Sequence, residues 1–135
     1  MSAHSPFPLA ALAVGALLIS ATAAATAPKS KLLGSYKCAI KQSGINYPAQ
    51  PCSIAFKPAK DGSGRTLWFA KAAGSQHLSG WVAPKEDGFE VDGQIECPKG
   101  SCTEPLQMRF VAVPGGFDGA FELAATGPVT VIMRK

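Results

Sequence analysis

From Phe89 to Cys97 the chain alternates without a break. Phe89, Val91, Gly93, Ile95 and Cys97 fall on one side; Glu90, Asp92, Gln94 and Glu96 fall on the other. Successive side chains of a strand point to opposite faces, so this segment reads as a strand with one buried and one wet face. The same period recurs along the chain. Tyr36, Cys38 and Ile40 alternate with Lys37, Ala39 and Lys41; Cys52, Ile54 and Phe56 alternate with Ser53, Ala55 and Lys57. Leu78, Gly80 and Val82, then Leu106, Met108, Phe110 and Ala112, then Phe117, Gly119, Phe121 and Leu123 repeat the pattern. Thr66–Lys71 and Val129–Arg134 are apolar or β-branched runs. Eight strands are expected, and no segment after residue 27 has a helical period.

Turn chemistry separates these runs: Pro58–Gly64, Pro84–Gly88, Pro98–Ser101, Pro114–Gly116 and Thr126–Pro128. Proline sets a turn entry, and Asp-Gly or Gly-Gly supplies positive φ. Short turns between successive strands imply an antiparallel up-and-down meander. Eight strands in a row leave two bare edges unless the sheet closes, so the expected fold is an all-β, eight-stranded small barrel. The alternative is a two-sheet β-sandwich. Glycines inside strands (Gly80, Gly93, Gly119) suit a sheet that bends sharply.

Residues 1–27 carry an apolar run from Leu9 to Ile19 followed by small residues, Ser20 to Ala27. This reads as a secretory signal peptide with cleavage within 23–27. The run is shorter than the roughly 20 residues of a spanning helix, so no membrane span is expected after cleavage. The remaining single domain, 28–135, is then periplasmic or extracellular. In that setting Cys38, Cys52, Cys97 and Cys102 read as two disulfides. Proximity in sequence favours Cys38–Cys52 and Cys97–Cys102. The first would staple the polar segment Ala39–Pro51, taken as the longest connection; the second would clamp a hairpin turn. No Cys-x-x-Cys or paired histidine motif is present, and neither a metal nor a cofactor is expected.

Gly34-Ser-Tyr36 opens the first strand and Arg134 lies near the end of the last. This resembles lipocalin-like barrels, which open on Gly-x-Trp and bring a late arginine against that tryptophan; here tyrosine stands in its place. Tyr36-Lys-Cys38 is similar to the exported Tyr-x-Cys strand of small disulfide-bonded barrels that inhibit c-type lysozymes. No inhibitory loop of that kind is matched, and no residue role is carried over.

No nucleophile elbow, zinc-binding helix, phosphate loop or dinucleotide fingerprint occurs. Catalytic residues are therefore not assigned, and a binding function is expected. Two sets of candidates stand out. Ile45, Asn46 and Tyr47, on the segment bracketed by Cys38 and Cys52, together with Lys37 and Lys41, form a candidate surface for a partner. Phe56, Phe69, Phe89, Val91, Phe110 and Phe121 are the candidate lining for a small apolar ligand inside the barrel, as in a lipocalin-like carrier. Trp68 and Trp81 are expected as cross-strand neighbours, with the core as their place.

Charge is segregated along the chain. Residues 28–85 hold nine Lys or Arg against one acid, Asp61; residues 86–122 hold eight acids against Lys99 and Arg109. In a meander, sequence halves become spatial halves. A two-sided molecule results, suited to an acidic envelope or extracellular protein or to an anionic envelope polymer. The opposing expectation is that the two halves neutralise each other where the barrel closes. An exported chain without an aromatic-basic motif is not expected to bind nucleic acid.

Overall fold

A computed structural model describes residues 29–96, 103–124 and 127–135. Residues 1–28, with the expected signal segment, residues 97–102, with the expected turn and Cys97–Cys102 bridge, and residues 125–126 lie outside the described residues. A single helical turn, α1 (Lys29–Leu32), precedes nine strands. These are β1 (Gly34–Gln42), β2 (Ile45–Asn46), β3 (Gln50–Phe56), β4 (Leu67–Lys71), β5 (His77–Lys85), β6 (Gly88–Glu96), β7 (Thr103–Val113), β8 (Gly116–Leu123) and β9 (Gly127–Arg134).

Strands β3 to β9 each pair antiparallel with the next, and β1 pairs with β3 on one edge and with β9 on the other. Eight strands thus close into an up-and-down barrel, as their alternation and short turns require. The closing seam runs from Lys37↔Arg134 to Gln42↔Val129. Closure removes both bare edges, whose backbone groups would otherwise have no ladder partner.

The alternation decides what is inside. Tyr36, Cys38 and Ile40 of β1, Phe89 and Val91 of β6, Met108 and Phe110 of β7, and Val129, Val131 and Met133 of β9 are all buried. The residues that alternate with them face outward. Glycine permits the tightest wall. Gly80 and Gly93 face each other across β5 and β6, and a Cβ on Gly80 would lie 2.6 Å from the Gly93 Cα.

One end of the barrel is closed by α1. Leu32 is buried, and its carbonyl accepts a 2.8 Å hydrogen bond from the Tyr36 hydroxyl. The Lys135 ammonium stands 5.3 Å from the Tyr36 ring centroid. The late cation over the opening aromatic is thus Lys135, whereas Arg134 turns outward to Asp118 at 2.9 Å. Alternation along β9 accounts for this: Met133 points in, so Arg134 does not.

The segment between Cys38 and Cys52 is not the long loop expected. Ser43 and Gly44, at φ 53° and 79°, form a two-residue hairpin turn of the kind that matches strand twist. β2 then pairs back on β1 as Lys41↔Asn46 and Gln42↔Ile45, and β3 continues on the same edge from Cys38↔Gln50. Two residues of β1, Ala39 and Ile40, face three on the returning chain, Tyr47 to Ala49. This is a one-residue bulge, placed where Pro48 cannot donate to a ladder. The longest described connection is instead the Lys57–Thr66 segment, tied by Lys57 N to Thr66 O at 2.7 Å and Ser63 N to Asp61 Oδ1 at 2.9 Å.

Candidate functional site

The interior comes first, because its contents decide between a carrier and a surface binder. Phe89 and Phe110 stack with ring centroids 4.6 Å apart, and Phe69 lies 5.8 Å from Phe110. Phe117 closes on Phe89 edge-on at 5.0 Å. Phe69, Phe89, Val91, Phe110 and Phe121 are all buried, as the inward parity demands. The rings of Phe69, Phe89 and Phe110 spend surface on one another. Phe56 departs from the expected lining: it is 65% exposed. It is the last residue of β3, where the chain leaves the wall, and Leu67, its partner across the ladder, takes the buried position.

The tryptophans also depart from expectation. Trp68 and Trp81 are direct cross-strand partners, edge-to-face at 4.8 Å, but they stand half-buried on the outer wall. In β4, Leu67, Phe69 and Lys71 take the inward side, which puts Trp68 outside. The Lys57 ammonium covers the Trp68 ring at 4.3 Å.

The partner-binding candidates divide. Tyr47 folds back against the core at the barrel end, its backbone N–H donating to Ile40 O at 2.8 Å. Ile45 is 53% exposed beyond it, at the hairpin tip, with Asn46 exposed beside Lys41. Lys37 and Lys41 are exposed on the outer face of β1, and Ala39 lies between them. Across the seam, Ile132 is the partner of Ala39 and is 45% exposed. The result is a strip with an apolar centre, Ala39 and Ile132, flanked by Lys37 and Lys41. Beyond Ile132 the wall continues through Asp118 to Val111, also exposed, over a shallow depression of about 530 Å³.

Charge segregation is partly resolved by pairing. Arg65 meets Asp92 at 3.2 Å, and Lys85 meets Glu90 at 3.8 Å. Arg109 bridges Asp87 at 2.7 Å and Glu90 at 3.2 Å. The pairs of Asp92 and Glu90 tie β6 to Arg65, Lys85 and Arg109. All are exposed, so each contributes little to stability, roughly 0–1 kcal/mol. Their effect is on the field: the acids of β6 are screened locally. Lys37 and Lys41 have no ion-pair partner among the described residues.

The alternation in β4 has one further consequence that sequence reasoning missed. Leu67, Phe69 and Lys71 share the inward side, so a lysine points into the barrel end and is only 3% exposed. Its ammonium donates to Ala73 O at 2.6 Å and Gln76 O at 2.9 Å. Burial pushes its pKa down. Ile40, Tyr47, Gln50, Lys71, Ser75 and Gln76 line a cup of about 140 Å³ there. The signal was present in Leu67-Trp-Phe-Ala-Lys71: a period of two carried one residue past the apolar run.

No family model, curated protein or solved structure matches this chain. Among the described residues no cluster of His, Cys, Asp and Glu is arranged to hold a metal, and no helix is long and apolar enough to cross a membrane.

Proposed function

We propose that this is an exported binding protein that docks an acidic partner protein on its β1–β9 face. One observation carries the reading: Lys37 and Lys41 stand exposed, with no ion-pair partner among the described residues, on either side of the apolar Ala39–Ile132 centre. Apolar area at the middle of a patch supplies affinity, and cations at its rim set partner choice and association rate. Asn46, the register partner of Lys41, extends the same outer face at the hairpin tip, and exposed Ile45 stands at its edge. The packed aromatic interior favours this surface over a carrier of an apolar ligand. Export rests on the 1–27 segment, with which the buried Cys38–Cys52 bridge is consistent, since such bonds persist in oxidising compartments.

The test is capture on the immobilised 28–135 chain from the host's periplasmic and secreted fractions. An acidic protein that is retained at low salt, released at high salt and lost with Lys37→Glu/Lys41→Glu supports the reading. Retention unchanged by both salt and the double substitution overturns it. Capture of an anionic polymer in place of a protein also overturns it.

A further inference from the structure

We infer that the cup at the hairpin end of the barrel is a binding site for the carboxylate of a small organic monoanion. The cup is built from four separate places in the chain: Ile40 on β1, Tyr47 in the bulge, Gln50 at the start of β3, and Lys71 to Gln76 at and after the end of β4. Its chemistry is specific. Lys71 brings a full positive charge to a position only 3% exposed, and no carboxylate pairs with it among the described residues. A buried ammonium without a counter-charge is costly, and a bound anion would offset that cost.

Two of the three ammonium protons are committed, to Ala73 O and Gln76 O. These bonds fix the side chain and leave one donor. Gly74 packs against the same group: a Cβ there would lie 3.1 Å from Lys71 Nζ and 3.4 Å from Gln50 Cγ. Gln76 is already engaged, its amide donating to Gln42 Oε1 at 2.9 Å and its oxygen accepting from Ser75 Oγ at 3.1 Å. The Gln50 amide and the Tyr47 hydroxyl have no hydrogen-bond partner among the described residues, and Gln50 and Tyr47 are both lining residues of the cup. One ammonium N–H, one amide and one phenol are a fitting donor set for two carboxylate oxygens.

Size and lining narrow the ligand further. A cavity of about 140 Å³ is close to the roughly 150 Å³ that accommodates a benzene-sized molecule. The apolar surfaces of Ile40 and Tyr47 suit a short carbon chain behind the charge. A single lysine with neutral amides matches one negative charge better than two. The shared chemistry is a carboxylate on a small apolar stem, which either a free short-chain acid or the C-terminus of a peptide provides.

Propionate and propionamide, titrated at constant ionic strength into the isotope-labelled chain and followed by amide NMR, test this directly. Propionate is expected to shift Lys71 to Gln76 and the Gln50 side-chain amide saturably, with propionamide leaving them unmoved. Lys71→Met is expected to weaken binding roughly tenfold or more, the loss of one charge-assisted hydrogen bond. Gln50→Leu, which breaks no side-chain hydrogen bond among the described residues, is expected to weaken it less. Short peptides with free and amidated C-termini separate the two sources: a preference for the free-acid peptide over propionate identifies a chain terminus, and equal or weaker binding identifies a free acid. The inference is overturned if neither propionate nor the free-acid peptide gives a saturable shift at the cup, if propionamide binds as well, or if folded Lys71→Met binds unchanged. The acid-versus-amide comparison uses the native chain, so it holds whether or not Lys71→Met folds. Its outcome is independent of the β1–β9 face, which contributes neither Lys37 nor Lys41 to the cup.

Discussion

The ring of Phe110 lies directly over its cross-strand partner Gly119, filling the space a side chain would take. A Cβ on Gly119 would fall 2.8 Å from Phe110 Cζ and closer still to Cδ1 and Cε1. Phe110 cannot yield, because Phe89 stacks on it and Phe69 tilts against it. Gly119→Ala is therefore expected to destabilise the fold by about 1–3 kcal/mol, the cost of overpacking a filled core. Urea unfolding measures it. A second change, Phe110→Leu, should recover part of that loss in a double-mutant cycle; simple additivity would show that the two residues are not in conflict.

The Cys38–Cys52 bridge joins β1 to β3 on the diagonal of their ladder, both sulfurs facing inward, with a sequence separation of 14. Cross-linking a loop of this size restricts the unfolded chain by about 3 kcal/mol. Cys38→Ala/Cys52→Ala should lower the melting temperature by on the order of 10–20 °C in a domain this small. The native bond should resist reductant until the barrel opens, which thiol trapping against denaturant checks.

Ser43 holds a positive φ of 53° as the first residue of the hairpin turn, followed by Gly44. Asn-Gly is the pair that such turns favour, since asparagine tolerates the left-handed region better than serine. Ser43→Asn is expected to raise stability by a few tenths to about 1 kcal/mol. An unchanged urea midpoint would remove the turn from the factors that set the β1–β2 register.

Two buried groups give opposite alkaline responses. Burial lowers the Lys71 pKa, so the folded state is penalised while the group is charged. That penalty is fully present below its folded pKa and is relieved as pH rises towards 10.5, its value in the unfolded chain. Burial raises the Tyr36 pKa, so the stability it contributes is intact below 10.0 and is lost as pH climbs through its folded value. Relative to Lys71→Met, the native chain should gain stability between the depressed Lys71 pKa and 10.5. Relative to Tyr36→Phe, it should lose stability above 10.0. Tyr36→Phe also forfeits the hydrogen bond to Leu32 O, about 1 kcal/mol at neutral pH. Urea midpoints across this range, compared pairwise, check both signs.

The barrel was legible residue by residue because one rule governs it. A strand that closes on itself has an inside and an outside, and a period of two sorts every side chain to one or the other. Tyr36, Cys38, Phe89, Val91 and Phe110 follow that rule, and so does the diagonal bridge between Cys38 and Cys52. Phe56 breaks it because the rule ends where the strand does. Trp68 was assigned by its hydrophobicity, but its parity put it outside and Lys71 inside.

What the amino-acid order determined by itself was therefore the eight strands of the closed meander and the inward side of most of them, since both are fixed by local periodicity. What only the tertiary structure decided was the company each residue keeps. It folded the expected Cys38–Cys52 loop into a bulged hairpin, because pairing on β1 satisfies more backbone groups than a loop does. It left Lys37 and Lys41 without an ion-pair partner among the described residues while Glu90 and Asp92 of β6 found counter-charges. It also gathered Lys71 from the end of β4, Gln50 from β3 and Tyr47 from the bulge into one cup, a juxtaposition set by barrel register, which no local pattern records.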